Sequence, residues 1–109
     1  MGDVGFDVFK SLDIRTAEIK EVHDIEGADK LYRLVINIGE EREIIAGIKG
    51  YYDKEALIGK KIAVLANLEP KTIKGVTSHG MLLAAVTPGK KDVVLLIPDR
   101  NIPNGTRVS

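Results

Sequence analysis

Cysteine is absent from the chain, which excludes disulfides and thiolate zinc sites outright. Histidine is nearly absent too, with His23 and His79 the only two. Neither stands where a nucleophile and an orienting carboxylate would complete a catalytic relay. Ser78 and His79 are adjacent, but neighbours in an extended segment point to opposite sides. No His/Asp/Glu group has metal-ligand spacing. Gly75-Val76-Thr77-Ser78-His79-Gly80 lacks the Gly-Lys-Ser/Thr ending of a phosphate-binding P-loop. Glu40 and Glu41 fall in a turn, where paired carboxylates are simply solvated. No catalytic residue, metal or cofactor is therefore expected. Long apolar runs are also missing: Met81–Val86 and Val93–Pro98 fall far short of the ~20 residues a membrane span requires. Met1–Lys10 has no basic segment followed by an apolar one, so it does not read as a secretory signal. A cytoplasmic protein with no membrane partner is expected. Aromatic residues make up only 5% of the chain, and Trp is absent. Proteins that bind single strands without regard to shape rely on aromatic stacking, so that class is disfavoured.

What remains is a 109-residue chain, the size of one domain, long enough to bury roughly two-thirds of its unfolded surface without staples. Its formal net charge is zero, which by itself argues against a nucleic-acid partner. The charge is unevenly spread, however. Residues 1–45 hold six Lys and Arg against eleven acids, a net of −5, and residues 46–109 hold ten against five, a net of +5. The local field is what a polyanion meets.

The pattern of apolar residues is that of short strands. Ile14–Val22 mixes β-branched and charged residues, and Gly27-Ala28-Asp29 supplies a turn. Along Lys30–Ile38, Tyr32, Leu34, Ile36 and Ile38 share one face, with Arg33 and Asn37 opposite, the two-residue period of a half-buried strand. Arg42–Ile48 follows after Gly39-Glu40-Glu41, so residues 30–48 form a hairpin. Asp53–Gly59 carries an N-cap acid, helix formers and a terminal Gly, which predicts one or two helical turns. Lys61–Asn67 returns to strand, with Ile62, Val64 and Ala66 on one face. Leu68–Gly80 reads as a long loop, and unstructured loops of this length are commonly functional. Met81–Val86 and Val93–Ile97 are strands on either side of the basic turn 87–91. The tail from Pro98 is irregular, with a short strand at Thr106–Val108, and Asp7–Leu12 forms a helical turn presenting Phe6, Phe9 and Leu12. Strand, hairpin, helix, strand, strand predicts an all-β fold: an OB-type five-stranded barrel with one short helix between the third and fourth strands. In the long loop, Lys71 and Lys74 can meet successive phosphates. Asn67 offers a donor and an acceptor, Ser78 a hydroxyl, and Met81 an adaptable apolar surface for a base.

Taken in order, several motifs resemble the tRNA-binding domain family. They are Asp13-Ile14-Arg15-Thr16-Ala17, Gly27-Ala28-Asp29-Lys30-Leu31-Tyr32, Ala46-Gly47-Ile48 with Tyr51-Tyr52, Ala66-Asn67-Leu68-Glu69-Pro70-Lys71, and Gly75-Val76-Thr77-Ser78-His79-Gly80-Met81-Leu82-Leu83-Ala84-Ala85. The resemblance is greatest to the C-terminal domain of methionyl-tRNA synthetase and its free-standing homologue, and it covers nearly the whole chain. It implies one tRNA-binding domain over residues 6–109 and non-catalytic, structure-dependent tRNA binding that assists aminoacylation. It also implies a homodimer built with a C-terminal dimerisation extension (about residues 90–109) and a methionyl-tRNA synthetase catalytic subunit as a further partner. By position, the family's tRNA-binding residues fall on Lys30, Arg42, Asn67, Lys71, Lys74, Ser78 and Met81. The chain departs from the family in carrying Ala46 where Ser is usual and His79 where an acid or Gln is usual. Two other functions are compatible with the same fold: a chaperone-like homodimer that binds unfolded polypeptide, and a purely structural dimerisation module of a synthetase. The Asp29-Lys30-Leu31 and Ser78-His79-Gly80-Met81 segments favour the tRNA-binding branch, because the chaperone branch diverges at both.

Overall fold

The computed structural model describes residues 2–109. A short helix, α1 (Phe6–Ser11), precedes strands β1 (Ile14–Ile25), β2 (Ala28–Asn37) and β3 (Glu41–Ala46). Helix α2 (Lys54–Leu57) follows, and then strands β4 (Lys61–Leu65), β5 (Lys71–Ile73), β6 (Val76–Ser78), β7 (Met81–Leu82), β8 (Ala84–Val86), β9 (Val93–Leu95) and β10 (Arg107–Val108). The main sheet runs β3-β2-β1-β4-β7, with β10 added beside the start of β1.

The alternation over Lys30–Ile38 does what its period predicts. Tyr32, Leu34, Ile36 and Ile38 are all buried, and across the hairpin they meet Ile44 and Ala46. Ile62 and Val64 of β4 and Leu57 of α2 are completely buried. Burying each such aliphatic side chain contributes roughly 1.5–3 kcal/mol, so this face of the sheet is the centre of stability. β1 is long enough to serve two partners. Its first half, Ile14 to Glu18, pairs with β4, and its second half pairs with β2. A register shift between Ile19 and Glu21 marks the bend between them, as bulges do where a strand must turn a corner.

The expected closed, five-stranded barrel is not formed. The sheets carry the OB-type strand order and the short helix between β3 and β4, but they stay open between β3 and β7. The reason lies in Ser78-His79-Gly80, which occupies that gap. Gly80 holds φ 138°, a backbone conformation outside the strand region, so a regular ladder cannot run through it. Isolated bonds bridge the gap instead, among them two from backbone amides. The Ile45 N–H donates to the Ser78 hydroxyl oxygen at 2.8 Å, and the His79 N–H donates to the Glu43 carbonyl at 2.9 Å. A side chain thus stands in for a missing strand.

Three further differences are local. The long loop 68–80 contains the β5–β6 hairpin. The strand expected over 81–86 splits at Leu83, so that β7 pairs with β4 and β8 pairs with β9. The helix after β3 is shorter than Asp53–Gly59. The N-terminal helical turn and the short C-terminal strand are both present.

Candidate nucleic-acid interface

Between the outer face of β2–β3 and the β5–β6 hairpin lies an open groove of about 790 Å³, whose lining includes Arg33, Arg42, Glu43, Leu68, Val76 and His79. Alternation places Arg33 here, opposite the buried Tyr32 and Leu34. Its guanidinium lies 2.6 Å from the Glu43 carboxylate. Arg42 is similarly matched by Glu40 at 3.4 Å, and Glu41 also borders the groove. Both arginines of the groove are therefore paired, and Glu41 leaves one carboxylate in excess. Arg33 and the Glu43 beside it were not singled out from the sequence; the outward position of Arg33 in an alternating strand was the available signal.

The unbalanced charge stands at the margins. Lys30, Lys71 and Lys74 are all exposed, and none has a carboxylate at ion-pair distance among the described residues. Lys74 and Gly75 form the tip of the β5–β6 hairpin with φ 52° and 81°, the paired positive values of a two-residue turn that follows strand twist. The Lys74 side chain leans onto the β1–β2 turn, where its Cδ and Cε would sit 3.7 Å from a Cβ built on Gly27. Lys30 lies three residues beyond that glycine. Lys71 pairs across the hairpin with Ser78. Met81 is 47% exposed, a large apolar side chain left open beside β4.

The other three residues carried over from the family have their polar atoms engaged by the chain itself. Asn67 accepts the Asp13 N–H at 2.9 Å and donates to the Ser11 carbonyl at 2.7 Å, tying α1 to the sheet. Arg42 donates to the carbonyls of Ala66 (2.8 Å) and His79 (3.3 Å), clamping β3 to both ends of the β5–β6 arm. Ser78 is buried, accepts from Ile45 and donates to the Gly80 carbonyl at 3.0 Å. Of the two departures from the family pattern, Ala46 packs in the core, whereas the His79 side chain is exposed and borders the groove.

Beyond the groove, Asp24 at the far end of β1 is shared by Lys49 (2.9 Å) and Lys54 (2.8 Å). Hydrogen bonds from Lys54 and then Lys49 hold its carboxyl below the ordinary aspartate value, and donating to Asp24 raises the Lys49 ammonium above its own. Lys49 is thereby taken out of the pool of free cations, and the loop after β3 is pinned to β1 and α2. Glu18 is lowered by a hydrogen bond from Asn104 and by the charge of Lys20. No group of three or more His, Asp or Glu suited to a metal ion occurs among the described residues.

An open β-sheet of OB-type order, with unpaired lysines around a groove and an exposed apolar side chain beside it, defines a small binding module for a polyanion. The chain belongs to the tRNA-binding domain family: the model of the putative tRNA binding domain matches residues 14–107. It is 51% identical over 102 residues to a methionine–tRNA ligase of Methanothrix thermoacetophila, covering 94% of this chain but 15% of that protein. The chain thus corresponds to a small part of the enzymes it matches. The structure of a MetRS related protein from Pyrococcus horikoshii superposes with TM-score 0.93 at 35% identity and full coverage of both chains. Chaperone CsaA of Bacillus anthracis superposes with TM-score 0.90 at 33% identity, over 99% of this chain and all of that one. These relationships place the chain among non-catalytic tRNA-binding modules related to methionyl-tRNA synthetase.

Proposed function

We infer that this chain binds folded tRNA through its backbone and so assists aminoacylation by methionyl-tRNA synthetase in the cytoplasm, without chemistry of its own. The observation that carries this reading is the set of three unpaired lysines, Lys30, Lys71 and Lys74, at the margins of a groove whose two arginines are already paired with Glu43 and Glu40. Lysines without a carboxylate partner are the ones whose counterions a phosphate can displace. Met81 offers an apolar face to a base. Arg42 and Ser78 support the same surface by holding the arm that carries Lys71 and Lys74 to β3, and Asn67 fixes α1 where the chain leads into that arm. With ~3–5 phosphate contacts, log affinity would fall against log salt with a slope of roughly −2 to −5. Such binding is weak for a single module and becomes useful through effective concentration, where pairing or tethering of sites raises avidity ~10²–10⁴-fold.

A homodimer supplies that pairing, with or without a synthetase catalytic subunit alongside. Helix α1 buries none of its residues, leaving Phe6 72% exposed. Val86, Val94, Leu96 and Ile97 are about half exposed or more, at 47–57%. Apolar side chains this open on two short elements and the adjoining tail fit burial by a second copy. The same exposure favours the second reading, a chaperone-like homodimer, in keeping with the likeness to CsaA.

Filter binding of tRNA across a salt series, for the wild type and a Lys71→Ala/Lys74→Ala variant, tests the first reading. The variant is expected to bind less tightly and with a shallower slope. Equal affinity and equal slope would remove the lysine arm from the binding surface. Competition by a denatured protein for the tRNA-bound dimer separates the chaperone reading: displacement of tRNA at comparable concentrations would favour it.

A further inference from the structure

Among the described residues, two other than glycine hold a positive φ, and both are lysines at hairpin tips. They are Lys74 (φ 52°) between β5 and β6 and Lys90 (φ 55°) between β8 and β9. An L side chain is strained there, and Asn, Asp and Gly adopt this conformation far more readily. Each lysine already adjoins a positive-φ glycine, Gly75 or Gly89, so the turn chemistry is otherwise ordinary. Strain kept at an exposed tip points to a use for the side chain rather than to stability. Lys74 belongs to the surface already described, and Lys90 does not.

Lys90 and Lys91 are exposed, and neither has a carboxylate at ion-pair distance among the described residues. Beside them stands Tyr51, 39% exposed, whose hydroxyl donates to the Lys90 carbonyl at 2.5 Å. The loop holding Tyr51 reaches back to the lysine surface proposed above, because the Lys49 N–H donates to the Lys30 carbonyl at 3.4 Å. The same loop is held firm by Asp24 through Lys49. Lys30 in turn follows the turn onto which Lys74 leans. Lys74, Lys30, Tyr51 and Lys90 are thus strung around one end of the sheet, where β2 begins and β3 ends.

We propose that Tyr51, Lys90 and Lys91 form a second contact for tRNA, the two ammonium groups meeting phosphates and the open ring of Tyr51 lying against a ribose or base. The assignment rests on the tRNA reading and extends it from the groove margin to the β8–β9 tip. Lysine supplies the charge that asparagine would lack, and tyrosine supplies a stacking surface in a chain with few aromatics. The exposed Val86 and Val94 lie on the strands below the tip, so dimer mass is measured beside tRNA binding to separate a role in assembly from one in RNA contact.

The test is tRNA filter binding across salt with Lys90→Asn/Lys91→Ala, in parallel with Lys71→Ala/Lys74→Ala and with measurement of dimer mass and thermal midpoint. Asparagine relieves the strained φ, so the first variant is expected to melt at or above the wild-type temperature. Its tRNA affinity should nevertheless fall roughly 3–10-fold, with the salt slope shallower by about 1.4–1.8, two phosphate contacts' worth. An unchanged slope in this variant, while the Lys71/Lys74 variant flattens, overturns the second contact and leaves the tRNA reading intact. A change in dimer mass with an unchanged slope also overturns it, assigning the tip to assembly. Loss of salt-dependent binding in the wild type would sink both.

Discussion

Replacing Ser78 with alanine separates support of the RNA surface from contact with RNA. The hydroxyl sits in the open seam of the sheet, accepting from the Ile45 N–H at 2.8 Å and donating to the Gly80 carbonyl at 3.0 Å. Ser78 is only 8% exposed, so water cannot readily take over either role. A buried group left without its partner costs about 1–3 kcal/mol. The amide of Ile45 loses its acceptor altogether, which suggests a total near 2 kcal/mol. For a domain of this size that corresponds to a fall in melting temperature on the order of 10 °C. Urea unfolding of Ser78→Ala should show a lower midpoint at an unchanged slope. Binding of tRNA, measured well below the variant's melting temperature, should stay within about threefold of wild type, since no phosphate contact is removed. The opposite pattern, a wild-type unfolding midpoint with a large loss of affinity, would show that the hydroxyl faces RNA and that the seam does not depend on it.

Other substitutions probe other parts of the same structure. Gly105→Ala should destabilise by more than about 2 kcal/mol in urea unfolding, because φ is 79° and a Cβ there would stand 2.7 Å from the Ile38 carbonyl oxygen. Lys74→Asn should raise the thermal midpoint slightly, as asparagine tolerates a φ of 52° better, while weakening tRNA binding in a filter assay. The pH dependence follows from Asp24, whose folded carboxyl is held below 3.8 by Lys54 and Lys49. A depressed carboxylate stabilises the fold above its unfolded value, and that contribution disappears as pH falls from 3.8 through the lowered folded value. Asp24→Asn should therefore flatten the loss of thermal stability on acidification. On the alkaline side, the raised Lys49 contributes fully below 10.5 and is lost as pH climbs past its folded value. Melting curves of wild type and Asp24→Asn at both extremes check each limb.

The strands that hold the core were legible because burial imposes a period. Tyr32, Leu34, Ile36 and Ile38 alternate with polar residues since one face of β2 meets the core and the other meets water. The β5–β6 hairpin left no such trace. Lys71, Thr72 and Ile73 pair with Val76, Thr77 and Ser78 in an arm of which only Ser78 is buried, so no alternation of apolar residues marks it as strand. Splitting of the strand at Leu83 was hidden for a related reason, because Met81–Val86 is apolar on both faces and gives no sign of where it changes partners.

The identities of the candidate RNA-binding residues were readable from family motifs, yet what each side chain does was not. Asn67, Arg42 and Ser78 each bond to a backbone group that lies 24–56 residues away in the chain, a distance no local pattern encodes. By itself the sequence determined the all-β class, the place of the short helix, the family and the lysines available to a polyanion, since composition and short-range periodicity carry all of these. Only the tertiary structure decided that the sheet stays open, that Glu43 and Glu40 neutralise the groove's arginines, and that Lys30, Lys71 and Lys74 remain unpaired. Those outcomes depend on backbone torsion at Gly80 and on which charges distant strands bring within a few ångströms of one another.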